Sequence, residues 1–265
     1  MAGRGQNPDF VEALARGLDV LECFDATRRE LSLAEVAAAT DLARPTARRL
    51  LVTLEELGFV RLTTGGSFAL TPKVLRLGAA YAGSLGLWEM ARPHLQTLVA
   101  RTHESSSISQ LDGCDIVYVA RVSVPKIITL RVDIGTRFPA VPTSQGKVLL
   151  AHLPEAELEA VLALPSRSGI AVKPVDRAQL GEELSVVRAR GWALADEELA
   201  PGIRSAAVPL RDGQGRVCAA MNVSTHAAET SIETLTETYL PWLMSAASKI
   251  SSDWALWQAR PARSA

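Results

Sequence analysis

Residues 32–54 read SLAEVAAATDLARPTARRLLVTL, and their reading decides the fold of the N-terminal part of the chain. Two short helical patterns flank a tight turn near Thr40 and Asp41. On a wheel of 3.6 residues per turn, Ala47, Leu50, Leu51, Leu54 and Leu57 share one side of the second pattern. Pro45, Arg48, Arg49 and Val52 lie opposite. Arg44, Arg48 and Arg49 crowd its first half, and no acid occurs between Leu42 and Leu54. A leucine seam that holds a helix, with a cationic N-terminal half, is what entry into a DNA major groove requires.

The flanking signals agree. Ser32 followed by Glu35 spells a capping box, which opens the first helix of the pair. Pro45 falls in the first turn of the second, where its missing N–H is tolerated. Upstream, Phe10, Leu14, Leu18 and Leu21 recur at helical spacing. Downstream, residues 60–62 and 68–70 alternate like strands, joined as a hairpin by TGGS at 64–67. Three helices and then a hairpin predict a winged helix-turn-helix. Ser32, Arg44, Pro45, Thr46, Arg48 and Arg49 are the DNA-binding candidates. The competing reading is a small helical bundle with a solvated arginine face; cap, turn, charge and wing in this order favour DNA.

The chain has 265 residues, 48% apolar and 22% charged, the balance of a soluble globular protein. Its net charge of −1 does not announce a nucleic-acid binder, so the positive charge that meets DNA must be local. No signal peptide is expected, and every apolar run is too short or too interrupted to span a bilayer. Cys23, Cys114 and Cys218 are odd in number and far apart, which suggests neither a disulfide framework nor a zinc site. The expected compartment is the cytoplasm.

A winged-helix domain at 8–71 gives way to a linker helix at 72–86, started by Thr71 as cap and Pro72 in the first turn. The remainder, 87–258, mixes helices and strands without regular alternation, so the fold class is α+β. Helices are expected at 90–103, from Thr143 through Leu150, at 155–164, 179–190 and about 231–257. Strands are expected at 108–111, 116–122, 127–132, 192–195, 206–210 and 217–223, with turns at Asp112–Gly113 and at DGQG, 212–215. Residues 135–142 read as an irregular loop.

Enzyme signatures are weak. The four histidines are scattered, no G-x-S-x-G elbow is present, and Gly146–Lys147 lacks the upstream glycine of a phosphate loop. No catalytic residue, metal ligand or cofactor is expected. Thr143 and Ser144 open a helix whose free N–H groups suit a carboxylate. Arg121, Arg137, Asp196, Ser205, Asn222 and Ser224 sit in or beside strands and loops, where each alone could equally be a turn or surface group.

RGLDVL at 16–21, the helix pair at 33–57, PKVL at 72–75, TSQGKVLLA at 143–151 and GIRSAAVP at 202–209 together resemble the IclR family of bacterial transcription regulators. PDF at 8–10, DEEL at 196–199 and NVSTH at 222–226 are most similar to its Pca/Pob-type branch, which controls aromatic-acid catabolism. The resemblance runs from about Pro8 to Trp254. It implies a winged-helix domain joined to a GAF-like effector-binding domain, and dimers that pair into tetramers. It also implies that Arg121, Arg137, Thr143, Ser144, Asp196, Ser205, Asn222 and Ser224 line an effector pocket. The expected partners are a double-stranded DNA operator, a small carboxylic acid such as protocatechuate, 4-hydroxybenzoate or β-ketoadipate, and further copies of the chain, with no membrane. The alternative is a small-molecule-binding or enzymatic α+β protein with an incidental helix-turn-helix.

Overall fold

The structure is a computed structural model and describes residues 7–25, 27–125, 132–171 and 174–259. The chain divides into two compact units, Met1–Ser84 and Leu85–Ala265.

The first unit contains α1 (Glu12–Glu22), β1 (Glu30–Leu31), α2 (Leu33–Ala39), α3 (Arg44–Glu56), β2 (Val60–Leu62) and β3 (Phe68–Leu70). A single 3-10 turn, Pro72–Val74, leads into α4 (Leu75–Leu85). The expected capping box forms. The Ser32 and Glu35 side chains each accept the other's backbone N–H, at 3.3 and 2.8 Å. Asp41 turns the chain between α2 and α3 with φ +53°, a left-handed conformation that Asp tolerates. Val36, Ala47, Leu51, Leu54, Val60 and Phe68 close a small core.

Three details depart from the sequence reading. The hairpin has a third strand, in the order β1-β3-β2, and the two residues of β1 are too few to show a period. Leu57 caps α3 and is 52% exposed rather than part of the seam. On α1 it is Val20 that is buried. Phe10 precedes the helix, and Phe10, Leu14 and Leu18 are 37%, 64% and 48% exposed.

The second unit is built on an antiparallel sheet in the order β6-β5-β4-β9-β8-β7. Its strands are β4 (Ser105–Asp112), β5 (Asp115–Val122), β6 (Arg137–Pro139), β7 (Ala193–Asp196), β8 (Ile203–Arg211) and β9 (Val217–His226). The period of two sorts the side chains. Ile108, Ala206, Val208, Leu210, Ala219, Met221 and Val223 pack on α5 (Leu87–Thr102) and α9 (Leu240–Gln258). Ile116, Tyr118, Ala207 and Ala220 face α6 (Ser144–Ala151) and α8 (Arg177–Arg190) on the other side. α7 is Glu155–Leu162.

The region read as a loop at 135–142 holds β6, a three-residue edge strand ending in proline. Pro209 sits inside β8, opposite Ala220 of β9 and beyond the last β7 pair, Ala193 with Ala207. The closing helix begins with a π-helical turn, Thr234–Tyr239. The expected strand at 127–132 falls at 127–131 outside the described residues. Gly146 places α6 against the preceding loop, since a Cβ there would lie 2.0 Å from the Ala140 carbonyl oxygen. Among the described residues no helix is long and apolar enough to cross a membrane.

Candidate functional site

Two surfaces carry chemistry, one in each unit. In the first, α3 opens at Arg44 with Pro45 in its first turn and no side-chain cap. Pro45 has no N–H and the Thr46 and Ala47 N–H groups bond the Ala43 carbonyl at 2.9 and 3.0 Å, so it is the side chains of this end that can meet an anion. Arg44, Pro45, Arg48 and Arg49 are exposed, and Thr46 is half-buried. The apolar seam Ala47, Leu51 and Leu54 holds the opposite face in the core. Ser32 sits in the capping box, where its hydroxyl donates to Glu35 Oε2 at 2.7 Å. Arg61, exposed on β2 of the wing, is a further cation that the helix periodicity did not single out.

In the second unit, a cavity of about 60 Å³ lies between the sheet and the N-terminus of α6. Arg121, Thr143, Ser144, Ser205, Asn222 and Ser224 all line it. Strand register explains the gathering. Ser224 pairs with Ser105 on one side and Ser205 on the other, and Asn222 pairs with Ser107 and Ala207. Hydroxyls thus occupy one level of three adjacent strands. Ser144 and Ser205 hydroxyls bond each other at 2.7 Å, and Thr143 caps α6 by accepting the Gly146 N–H at 3.0 Å.

Arg137 and Asp196 are placed elsewhere. Arg137 of β6 bonds Asp112 at the end of β4, and Asp196 accepts from Arg204 Nε at 2.6 Å. Both have local partners of opposite charge, which the sequence reading did not pair.

Ser107, absent from the sequence reading, is the hub of the cavity wall and is fully buried. Its N–H donates to Asn222 Oδ1 at 3.1 Å, and its C=O accepts from Gln145 Nε2 at 3.1 Å. Its hydroxyl accepts from Arg121 at 2.8 Å. The register shift between Ile108 and Ser109 lies immediately beyond it, and at such a bulge the ladder releases backbone groups to side chains.

No carboxylate among the described residues lies within ion-pairing distance of Arg121, and its Nε has no hydrogen-bond partner there. Burial pulls its pKa below the ordinary guanidinium value, offset in part by Tyr118 and Asp133. It stays charged at neutral pH. Tyr118 and Phe138, ring to ring at 5.7 Å in a T-shape, form an aromatic wall. Burial pushes the Tyr118 hydroxyl up to about 12, so it remains a donor. Glu104, Gln145, His226, Thr225 and Leu199 also line the cavity. Of these, Gln145, His226, Thr225 and Leu199 stand inside quoted family motifs, while Glu104 gave no signal because a lone acid after a helix reads as a surface group. Among the described residues no group of three His, Cys, Asp or Glu could hold a metal ion. The arrangement can bind a compact anion with an apolar body; it offers no nucleophile and base in contact.

Family comparisons match the same two units. The IclR helix-turn-helix domain matches residues 13–63, and the domain described as bacterial transcriptional regulator IclR C-terminal matches residues 79–252. The chain is 38% identical to the Pca regulon regulatory protein of Pseudomonas putida, over 91% of this chain and 83% of the relative. It is 34% identical to the p-hydroxybenzoate hydroxylase transcriptional activator of Acinetobacter baylyi, over 91% of each. A crystal structure of a transcriptional regulator from Rhodococcus sp. RHA1 is 48% identical, with TM-score 0.79, over 94% of this chain and all of that one.

Behind the cavity one charge is fully out of water. Lys147 on α6 is 1% exposed, and its Nζ reaches Glu183 Oε1 at 2.5 Å and both Glu198 oxygens at 2.6 and 2.7 Å. The carboxylates keep 40% and 39% of their side-chain surface in water, so the desolvation falls on the lysine. Glu198 precedes Leu199, and the contact ties that wall of the cavity to α6. Lys147→Met leaves two carboxylates that water can solvate, and its stability should stay within about 1 kcal/mol of wild type. The double variant Glu183→Ala, Glu198→Ala strands the buried ammonium and should lose roughly 3–5 kcal/mol. Urea unfolding of the two variants checks this asymmetry; equal losses would refute it.

Proposed function

The chain belongs to the IclR family of bacterial transcriptional regulators, and from that premise we propose that α3 reads an operator whose affinity is set by a small carboxylic acid bound in the serine-lined cavity. It is a DNA-binding regulator and not an enzyme. DNA contact is assigned to Ser32, Arg44, Pro45, Thr46, Arg48 and Arg49, with Arg48 and Arg49 the most direct because both point away from the buried seam. Its compartment is accordingly the cytoplasm. Arg48→Ala should weaken binding to DNA from upstream of its own gene by about 1–3 kcal/mol if Arg48 reads a base, with thermal stability nearly unchanged. A mobility shift identical to wild type would remove Arg48 from the interface.

One winged helix meets too little DNA for tight specific binding, and two copies read a palindrome with matched half-sites. We assign the pairing surface to the apolar stripe that leads into α1 and continues along it. Phe10, Val11, Leu14 and Leu18 expose 37–64% of their surface, more than a lone regulator needs to show water. Leu75, Leu77 and Tyr81 on α4 are likewise exposed and add to it. The species is a homodimer or a tetramer made of two. Leu14→Glu should yield monomers at micromolar concentration in analytical sedimentation and lose operator binding; a dimer of unchanged affinity would refute the stripe.

The effector reading is carried by Arg121, a half-buried cation with a free Nε donor in a cavity of hydroxyls. A carboxylate satisfies it, helped by the N-terminus of α6, and an apolar body packs on Tyr118, Phe138 and Leu199. The likeness to regulators named for the pca genes and for p-hydroxybenzoate hydroxylase supports an acid of aromatic or β-ketoadipate catabolism. Protocatechuate, 4-hydroxybenzoate and β-ketoadipate are the candidates. Such an acid changes DNA affinity only by its differential affinity for two arrangements of the chain. In calorimetric titration of the full chain, Arg121→Gln should weaken acid binding at least about 10-fold, as expected for loss of a charge-assisted pair. Operator binding without acid should persist. No binding of any of the three acids to the wild-type chain would overturn the effector reading.

A further inference from the structure

We propose that Gln145 makes the cavity selective for acids that carry a hydroxyl, its side-chain carbonyl accepting the hydroxyl proton. The inference rests on the effector reading above and narrows its ligand class. Gln145 is 1% exposed, stands in the first turn of α6 and lines the cavity. Its amide nitrogen donates to two backbone carbonyls, Ser107 O at 3.1 Å and Ala220 O at 3.0 Å. These two acceptors fix the orientation of the amide, because flipping it would set its oxygen against both carbonyl oxygens. Oε1 is thereby held in place, and among the described residues it has no hydrogen-bond partner.

A buried amide oxygen with no donor is costly, and native proteins keep few of them. Several other acceptors of the lining are engaged. Asn222 Oδ1 takes the Ser107 N–H, the Ser144 and Ser205 hydroxyls take each other, and Glu104 lies 3.5 Å from the Thr230 hydroxyl. Among the buried side-chain atoms of the lining, those without a hydrogen-bond partner are one donor, Arg121 Nε–H, and one neutral acceptor, Gln145 Oε1. Both residues are tied to Ser107, Arg121 through the hydroxyl and Gln145 through the carbonyl, so they stand within one side chain's reach of each other. A ligand that satisfies both carries a carboxylate and a hydroxyl on a short frame with apolar faces, a hydroxyaryl acid. An acid without the hydroxyl would leave Oε1 unpaired, and sites of that kind discriminate strongly.

The test is calorimetric titration of the full chain with benzoate, 3-hydroxybenzoate, 4-hydroxybenzoate and 3,4-dihydroxybenzoate. At least one hydroxylated acid should bind about 100-fold or more tightly than benzoate. In Gln145→Met that ratio should fall below about 5, whereas in Glu104→Gln it should be retained. If Gln145→Met does not fold, Glu104→Gln still decides, since loss of the preference there hands the hydroxyl to Glu104 and overturns the assignment. Acids that bind with no preference for the hydroxyl overturn this inference and leave the effector reading standing. Failure of every acid to bind, β-ketoadipate included, sinks the effector reading itself.

Discussion

The cavity depends on one buried serine. Ser107 sits on the central strand β4, and its N–H, its C=O and its hydroxyl each hold a different side chain of the wall. Three polar residues from β5, α6 and β9 are fixed by a single backbone position, and none of the three bonds can move without disturbing a strand. Such preorganisation keeps Arg121 and Gln145 at set positions before any ligand arrives, so ordering them costs little on binding. It also explains a sheet interior containing Ser105, Ser106, Ser107 and Ser109 on one strand, all buried. A strand chosen for core packing would carry valine or isoleucine there.

Apolar periodicity has two meanings in this chain. On α3 the repeat Ala47, Leu51, Leu54 is buried inside its own unit, and the helix is held so that its arginines face outward. Along α1 and the residues leading into it, the repeat Phe10, Leu14, Leu18 is exposed, while Val20, off that stripe, enters the core. Both obey the 3.6-residue period, because that period records only that a face leaves water, not whether it leaves it within the chain or against another copy. Burial decides between the two.

That ambiguity also sets how much of the molecule was legible in the sequence. The capping box at Ser32 and Glu35, the hairpin strands 60–62 and 68–70 and the Thr143 cap of α6 are local patterns, and the structure contains each of them. β1 and β6 were not legible, since two or three residues cannot show a period and depend on a distant partner for their hydrogen bonds. The cavity was partly legible: a helix start rich in hydroxyls and polar residues in strands gave Thr143, Ser144, Ser205, Asn222 and Ser224. Ser107 and Gln145 were missed because their role lies in pairing across the sheet, with partners 38 to 115 positions away in the chain.

Arginine shows most plainly what sequence leaves out. Arg121, Arg137 and Arg204 all lie on strands of the same sheet, and as residue types they are indistinguishable. Arg137 has Asp112 beside it, and Arg204 has Asp196 and the Thr230 carbonyl at 2.6 and 2.7 Å, so both are internal ties with their charge answered. Arg121 has only a serine hydroxyl. Arg48 and Arg49 make none of the ion pairs found among the described residues and face solvent on a helix without acids until Glu55. A cation held by the fold without a counter-charge keeps its capacity to bind an anion from outside. By that criterion these two places suit anions. One is exposed and repeats along a helix, as a phosphate backbone demands. The other is enclosed and single, as one small carboxylate demands.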